Sequence, residues 1–266
     1  MKIDFTTIAS GSSGNCVYVG TENTKVLFDA GISGKKVEEG LKGLDICGSD
    51  IDAIFVTHEH TDHIKGVGVM SRKYNIPIYA TEGTWDAMKD KIGKIREENI
   101  RYVYKREKNI LNDLCISSFE IPHDAAEPVG YSIMTDKVKI AIATDIGHVT
   151  REILDNLKEC DAMLLESNHD VDMLKDGSYT YELKRRILGK YGHLSNETAG
   201  KLLACVLSDK LKYIFLGHLS NENNTPKLAY NTVKDILKEY GVDMNRDLDV
   251  SLAERYCLSR VYELRG

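Results

Sequence analysis

Short runs of β-branched and aromatic residues alternate along the chain with longer amphipathic stretches. The short runs predict strands, with bounds 3–8, 16–20, 25–28, 53–57, 76–80, 114–121, 130–135, 138–144, 161–166 and 212–217. The amphipathic stretches predict helices, with bounds 61–74, 150–158, 179–190, 196–208 and 226–239. Near the end of the chain, segment 256–262 predicts one more strand that returns to the fold.

The order of these elements predicts the architecture. Some strands follow one another like hairpins, and others alternate with helices, which is typical of two mixed sheets covered by outer helices. We therefore expect an α/β fold of the αββα sandwich type, with residues 1–266 forming a single domain. Hydrophobic residues make up 42% of the chain, which is enough for a sizeable core.

The net charge of −6 makes the chain a poor candidate for binding duplex DNA by bulk electrostatics. Bound cations can nevertheless supply positive charge locally. The acidic balance therefore does not exclude a nucleic acid as substrate.

The cysteines and the chain start bear on the compartment. The six cysteines are spread out and form no C-x-x-C pair, which argues against a thiolate zinc site or a redox motif. No apolar stretch approaches the roughly 20 residues of a membrane helix, and the first residues predict a strand rather than a signal peptide. We expect a cytoplasmic protein with reduced cysteines and no membrane partner.

Four side chains of the kinds that bind metal ions lie within six positions after the predicted strand 53–57. They are His58, His60, Asp62 and His63. Residues two apart in an extended stretch point to the same side, so His58 and His60 can bind one ion together. Asp62 and His63 fall where the next helix begins and face a second position nearby. Their ligand types suit zinc and other divalent ions, so we expect a metal site here rather than a polar surface loop.

Three more residues are placed like further ligands, because each follows a predicted strand. They are His123, Asp145 and His218. Zinc takes about four ligands, so the run at 58–63 cannot complete two sites alone. A carboxylate such as Asp145 can bridge two ions, which imidazole cannot do. Taken singly, each of the three is equally compatible with a hydrogen-bonded loop residue.

In chain order, these seven residues resemble the five-part motif of the metallo-β-lactamase superfamily. The match extends from the first strand to about residue 220. The resemblance implies one ion held by His58, His60 and His123, a second held by Asp62, His63 and His218, and Asp145 as the bridge. It also implies that Asp29, in Leu-Phe-Asp-Ala-Gly, is a structural landmark near the site.

Three features of the sequence indicate which branches of this superfamily the chain does not resemble. Lactam-cleaving members with two zinc ions usually have cysteine where this chain has Asp145, and they are exported. The interval from Asp145 to His218 is 218 − 145 = 73 residues, too short for the large inserted cap of some nucleic-acid-processing members. Glyoxalase-type members end in a helical substrate domain, whereas segment 256–262 predicts a strand here.

A pentapeptide occurs twice, as His-Leu-Ser-Asn-Glu at 193–197 and again at 218–222. The repeat is compatible with chance, with Ser195 and Asn196 acting as helix N-caps. His193 also resembles the non-ligand histidine of the tRNA 3′-processing branch, which implies a role in assisting the leaving group. In that interpretation Ser220 and Asn221 bind phosphate oxygens with their side chains and with helix-start amides.

A Gly/Ser-rich loop, Ser-Gly-Ser-Ser-Gly-Asn at 10–15, joins the first two strands. Such a turn exposes backbone N–H groups that suit an anion, so Ser12, Ser13 and Asn15 are candidate phosphate contacts; a plain hairpin turn is the alternative. With segments 123–131, 144–150 and 166–170, this loop resembles the YycJ/WalJ family over nearly the whole chain. The resemblance implies a 5′→3′ exonuclease acting on DNA.

We therefore expect a hydrolase with two divalent ions, zinc or manganese, with iron also compatible. Asp62 would ligate and orient the attacking water, and His193 would protonate the departing 3′-oxygen. His148 and His169 are expected near the rim of the site or behind the ligands, although His169 suits a buried structural role equally. The alternatives are RNA processing, hydrolysis of a small cyclic phosphodiester, or a regulatory binding protein on a hydrolase scaffold. The sequence leaves the oligomeric state open.

Overall fold

A computed structural model describes residues 1–105, 107–244 and 247–266 of the chain. One of its two sheets has the spatial order β14–β1–β2–β3–β4–β5–β6. Its strands are β1 (Lys2–Ala9), β2 (Cys16–Gly20), β3 (Lys25–Phe28), β4 (Ala53–Phe55), β5 (Ile78–Ala80), β6 (Ile100–Tyr102) and β14 (Tyr262–Arg265). The strands from β14 to β3 pair antiparallel and those from β3 to β6 pair parallel, so the sheet is mixed.

The other sheet mirrors this division, in the order β13–β12–β11–β10–β9–β8–β7. Its strands are β7 (Lys108–Leu111), β8 (Leu114–Glu120), β9 (Val129–Met134), β10 (Lys139–Ala143), β11 (Ala162–Glu166), β12 (Tyr213–Gly217) and β13 (Asp249–Leu252). The strands from β10 to β13 pair parallel, and those from β7 to β10 pair antiparallel.

Helices cover the outer faces. They are α1 (Gly34–Lys42), α2 (Thr61–Ile64), α3 (Val67–Tyr74), α4 (Glu82–Met88), α5 (Arg151–Leu157), α6 (Val171–Asp176), α7 (Tyr181–Ile187), α8 (Asn196–Val206) and α9 (Pro226–Glu239). Side-chain caps set several of the starts. Ser195 accepts from the Thr198 amide at α8, and Thr225 accepts from the Leu228 amide at α9, where Pro226 follows the cap.

Three groups of buried side chains define the layers. One group, which includes Phe5, Phe28, Phe55 and Tyr131, lies between the two sheets. A second packs the other face of the β7–β13 sheet against α5, α8 and α9. A third packs the other face of the β1–β6 sheet against α1, α3 and α4. The arrangement confirms the predicted αββα sandwich, because each sheet buries both faces.

The structure corrects the predicted helix over 61–74. Two helices, α2 and α3, take its place, and they are separated at Gly66. The Gly66 amide donates to the Ala30 carbonyl, and a Cβ at this glycine would lie 2.4 Å from the Ile32 carbonyl oxygen. This close approach between backbones interrupts the helix.

The predicted strand at 256–262 is also wrong in its position, because the last strand is β14 at Tyr262–Arg265. The segment before it still lies along β1. The Ser259 amide donates to the Thr7 carbonyl, and the two side-chain hydroxyls are 2.6 Å apart. One backbone bond and several side-chain bonds thus hold this segment where a strand ladder was expected.

The direction of the parallel strands determines which edge of the sandwich carries the candidate site. The carboxyl ends of β3, β4, β10, β11 and β12 meet there, as does the end of β8, which is separated from β10 by the antiparallel strand β9. Loops at such an edge are the usual position of binding sites in α/β folds. No helix in the described part of the chain is both long enough and apolar enough to cross a membrane.

Candidate metal centre

Three imidazoles form one corner of the site. His58 lies just beyond β4, His60 is the cap residue before α2, and His123 follows β8. Their rings lie 4.6–5.1 Å apart, centroid to centroid. One ligand atom of each lies within 4.8 Å of the others, so the three could hold one ion. This is the set that the family resemblance implied for the first ion.

A second corner contains the set assigned to the second ion. Asp62 and His63 lie on α2, and His218 follows β12. The Asp62 carboxylate is 3.6 Å from Nε2 of both histidines. One ligand atom of each of the three residues again lies within 4.8 Å of the others.

Asp145 lies between the two corners. Its carboxylate is 3.3 Å from Nε2 of His63 and 3.7 Å from Nε2 of His123. It is also 3.5 Å from Nδ1 of His218. The side chain is 4% exposed, so a carboxylate reaches both corners from a buried position.

His63 is oriented by a buried carboxylate behind it. Asp29, at the end of β3, lies 2.8 Å from Nδ1 of His63 and accepts from both the amide and the hydroxyl of Thr57. A carboxylate in this position fixes the tautomer of the ring and leaves Nε2 facing the site. The Asp29 bond to the Thr57 amide also takes that amide out of the strand ladder, so β4 ends earlier than the predicted residue 57.

Three residues at the strand ends have left-handed backbone conformations. They are Asp29 (φ 60°), Asp145 (φ 61°) and His218 (φ 54°). Such conformations are uncommon for residues other than glycine, aspartate and asparagine, and they persist where surrounding contacts fix them. At these positions they turn the chain sharply out of the sheet, so that the side chain points into the site.

The structure adds a residue that the sequence interpretation missed. Glu166, the fully buried last residue of β11, accepts from Nδ1 of His193 and from Nδ1 of His218, both at 2.9 Å. Its other oxygen accepts from the amides of Ile146 and Leu194. A single charged residue that ends an otherwise apolar strand, in Ala-Met-Leu-Leu-Glu, was the signal that could have revealed it.

The predicted His193 lies at this centre. Its ring is 5.1 Å from that of His123 and 5.3 Å from that of His218. Glu166 occupies its Nδ1, so Nε2 remains available for proton exchange. One ligand atom each of His193, His218, Asp145 and Glu166 also lies within 4.8 Å of the others, so this geometry alone is equally compatible with a ligand role.

Burial and charge set the protonation of the histidines. Burial, with the neighbouring imidazoles of His63 and His123, holds the pKa of His58 well below its usual range. Burial also lowers the pKa of His63, but the carboxylates of Asp29 and Asp145 outweigh it and raise that pKa to about 9. The His218 pKa is likewise raised, because Asp145, Asp62 and Glu166 outweigh its burial.

The donor set fits divalent ions. Asp145 Oδ2 and His218 Nε2 are buried and have no hydrogen-bond partner among the described residues. Burial raises the pKa of Asp62 and of Asp145, yet the adjacent imidazoles lower both pKa values more strongly. Ionised carboxylates and an inward-facing imidazole nitrogen without a hydrogen-bond partner are the groups that a bound cation satisfies.

The three candidate residues of the Gly/Ser loop differ in burial and in their distance from the ligand cluster. Ser12 and Ser13 are exposed at its tip. Asn15 is buried: its Oδ1 accepts from the Gly11 amide at 2.9 Å, and its Nδ2 lies 3.1 Å from Nε2 of His63. Asn15 therefore supports the loop and borders the ligand cluster.

The two copies of the repeated pentapeptide differ in structure. Ser195 caps α8, as predicted for a helix start, whereas Asn196 is the first residue of the helix and bonds the Ser167 hydroxyl. After the second copy, α9 begins only at Pro226, so the expected helix-start amides at Ser220 and Asn221 are not there. Ser220 instead accepts from the Asn223 amide, because a turn separates it from the helix.

The remaining two histidines lie outside the ligand clusters found among the described residues. His148 is exposed, and its Nδ1 is 2.9 Å from the Lys190 carbonyl. His169 is buried, and burial lowers its pKa to about 4, so it is neutral.

The chain matches known proteins over most of its length. Residues 24–214 match the family described as the β-lactamase superfamily domain. The chain is 42% identical over 250 residues to exodeoxyribonuclease YycJ of Bacillus anthracis, which covers 94% of this chain and 95% of that protein. It is 41% identical over 249 residues to exodeoxyribonuclease WalJ of Streptococcus pneumoniae, which covers 92% of each.

The fold resembles solved structures at low sequence identity. The metallo-β-lactamase fold protein YhfI of Bacillus subtilis superimposes with a TM-score of 0.72 at 13% identity, over 99% of both chains. This likeness identifies the fold.

We expect Glu166→Gln to weaken metal binding by about 10- to 100-fold, the range typical of residues that orient ligands. The amide cannot accept from both histidines and both backbone amides as the carboxylate does. Metal affinity is measured by competition with a chromophoric chelator. Glu197→Gln, an exposed first-turn position of α8, is the matched control. Equal affinities in the two variants would contradict the orienting role.

Metal binding at pH 7 should release protons. A pKa of about 9 keeps His63 protonated at this pH, and an imidazole must be neutral to bind a metal ion. Titration calorimetry in two buffers of different ionisation enthalpy measures the released protons. We expect at least one proton per saturated chain at pH 7 and less release above pH 9. A heat that is independent of the buffer would refute the charge state assigned to His63.

Proposed function

Because this chain belongs to the β-lactamase superfamily and to the family of exodeoxyribonucleases YycJ and WalJ, we propose that it is a dinuclear metal-dependent phosphodiesterase that removes nucleotides from DNA in the 5′→3′ direction. The DNA substrate and the exonuclease activity are inferred from the names of the relatives. Metal-dependent hydrolysis is inferred from the ligand geometry.

The observation that supports the chemistry most directly is the pair of ligand corners joined by Asp145. Each corner has three residues with mutually close ligand atoms, and the buried carboxylate reaches both. We propose one divalent ion in each corner, zinc or manganese, with iron also compatible with the ligand types. When bound, two such ions activate water at neutral pH and withdraw charge from a phosphoryl oxygen.

Asp62 is the proposed orienting group for the attacking water. Its side chain is 27% exposed, compared with 4% for Asp145, so it is the more open of the two carboxylates. Adjacent imidazoles keep its pKa low enough to leave the carboxylate ionised. An ionised carboxylate at the open side of the cluster can accept a hydrogen bond from the water that attacks phosphorus.

His193 is the proposed general acid. Glu166 accepts the Nδ1 proton and stabilises the positive charge of the doubly protonated ring. The remaining nitrogen, Nε2, can then donate a proton to the 3′-oxygen as it leaves. The side chain is 17% exposed, which is consistent with contact to a substrate.

The proposed substrate contacts lie on two loops beside the ions. Ser12 and Ser13 are at the exposed tip of the Gly/Ser loop, and Ser220 and Asn221 follow His218. Bound cations would supply the local positive charge that a chain with a net charge of −6 lacks. The cytoplasm as the compartment of action is consistent with the absence of disulfides among the six cysteines, all of which lie in the described residues.

Replacing Asp62 by alanine should abolish turnover while the protein stays folded. The test measures cleavage of duplex and single-stranded DNA, precursor tRNA, a cyclic phosphodiester, a thioester and a β-lactam, with zinc and with manganese. We expect the DNA substrates to be cleaved fastest. Undiminished activity in Asp62→Ala would refute the mechanism, and preferential cleavage of RNA or a cyclic substrate would move the chain to that alternative. Fewer than one bound metal ion per chain would favour a regulatory binding protein.

His193→Ala should slow DNA cleavage by about 10²- to 10⁴-fold, the usual contribution of a general acid, and retain both metal ions. Single-turnover rates and metal content are measured on the same preparation. His148→Ala is the control, because that histidine is exposed and lies outside the ligand clusters. Loss of metal from His193→Ala would show that His193 is a ligand.

A further inference from the structure

A cavity of about 250 Å³ lies beside the metal centre but outside the ligand clusters. Leu219 and Ser220, the two residues after His218, line it. Ser10 lines it as well, and its hydroxyl accepts from the His218 amide at 2.9 Å. The lining of the cavity therefore includes the residue that directly follows a proposed metal ligand in the sequence.

Arg255 provides the positive charge in this cavity. Its Nη2 donates to the Leu219 carbonyl oxygen. Its Nη1 is buried and has no hydrogen-bond partner among the described residues. A guanidinium has five N–H donors, and leaving one buried without an acceptor is costly. Arg255 lines the cavity, so its positive charge favours an anion there.

The Gly/Ser loop is shaped to fit this arginine. Gly11 has φ +147°, and a Cβ there would lie 2.7 Å from Nη1 of Arg255 and 3.3 Å from the Leu219 carbonyl oxygen. The glycine thus allows the guanidinium to lie against the loop. The same loop reaches the metal centre, because Asn15 accepts from the Gly11 amide and contacts His63.

Further groups around the cavity suit an anion. Ser220 is 9% exposed, and its hydroxyl accepts from the Asn223 amide, so its own proton is free to be donated. The first turn of the 14-residue helix α9 also borders the cavity with its positive end. The carboxylate of Glu254, which belongs to the lining, is exposed.

We propose that this cavity binds the terminal phosphate of the DNA strand being degraded, with Arg255 as its main contact. The inference rests on the proposed exonuclease function. A volume of about 250 Å³ is below the ~300–1,000 Å³ of pockets for whole small molecules, which favours a phosphate group over a complete nucleotide. A phosphate monoester carries about −1.5 to −2 charge at pH 7, so it gains more from Arg255 than an internal diester does.

The test compares two duplexes of identical sequence, one with a 5′-phosphate and one with a 5′-hydroxyl. A fluorophore on the first base reports the first cleavage, because later cleavages act on new 5′-phosphate ends. We expect the metal-loaded wild-type protein to cleave the phosphorylated end about 10- to 100-fold faster, the range typical of hydrogen bonds to charged groups. Arg255→Gln should lose this preference and retain the rate on the 5′-hydroxyl duplex.

Arg260→Gln is the matched control, because Arg260 is an exposed arginine in the same segment and pairs with Asp249. It should keep the wild-type preference. Since Arg255 also bonds the carbonyl next to His218, a disturbed metal centre would slow Arg255→Gln equally on both duplexes, and that result would overturn the proposal. Arg255→Lys retains the charge without the planar fork, so it should regain only part of the preference.

Binding to the metal-free protein separates this inference from the proposed function. In the presence of a chelator, fluorescence anisotropy compares 5′-phosphorylated and 5′-hydroxyl oligonucleotides. Tighter binding of the phosphorylated one by wild type, but not by Arg255→Gln, would support the cavity even if DNA were not cleaved. Cleavage of DNA without any preference for the 5′-phosphate would overturn the cavity assignment and leave the exonuclease function intact.

Discussion

The site depends on the hydrogen bonds that the buried carboxylate of Glu166 accepts. It accepts from the side chains of His193 and His218 and from the backbone amides of Ile146 and Leu194. Desolvation of this carboxylate raises its pKa, but the two imidazoles and the hydrogen bonds lower that pKa more, so the group stays ionised. One charge thus fixes the loop of the proposed bridging aspartate, the proposed acid and a proposed ligand histidine together.

The mixed sheets explain how one carboxylate reaches so many loops. Strands β10, β11 and β12 are parallel neighbours, so their carboxyl ends deliver Asp145, Glu166 and His218 to the same edge. Buried amides extend the connection behind them: Asn168 donates to the His218 carbonyl, and Asn224 donates to the Ser167 and Asn168 carbonyls. Buried, hydrogen-bonded amides of this kind make the loops rigid, which suits a site that must hold ligand atoms in place.

A feature of the fold or of the site could be predicted from the sequence when it depended on residues close together in the chain. The run from His58 to His63 is contiguous, and the single residues His123, Asp145 and His218 follow recognisable strands, so the sequence indicated all of them. Glu166 was missed because it is the last residue of its strand, and its hydrogen-bond partners at 146, 193, 194 and 218 lie far from it in sequence. The break at Gly66 was missed because its cause is the Ala30 and Ile32 backbone, more than thirty positions earlier.

By itself, the sequence determined the αββα class, the kinds of ligand and their order along the chain, because these follow from side-chain periodicity and short spacing. Only the tertiary structure decided which partners meet. Gly11 contacts Arg255, and Ser10 bonds the amide of His218, across more than 200 residues. Such contacts depend on strand order and register, which local patterns do not encode. The repeated pentapeptide illustrates this, since its two copies have the same residues and different structures because their surroundings differ.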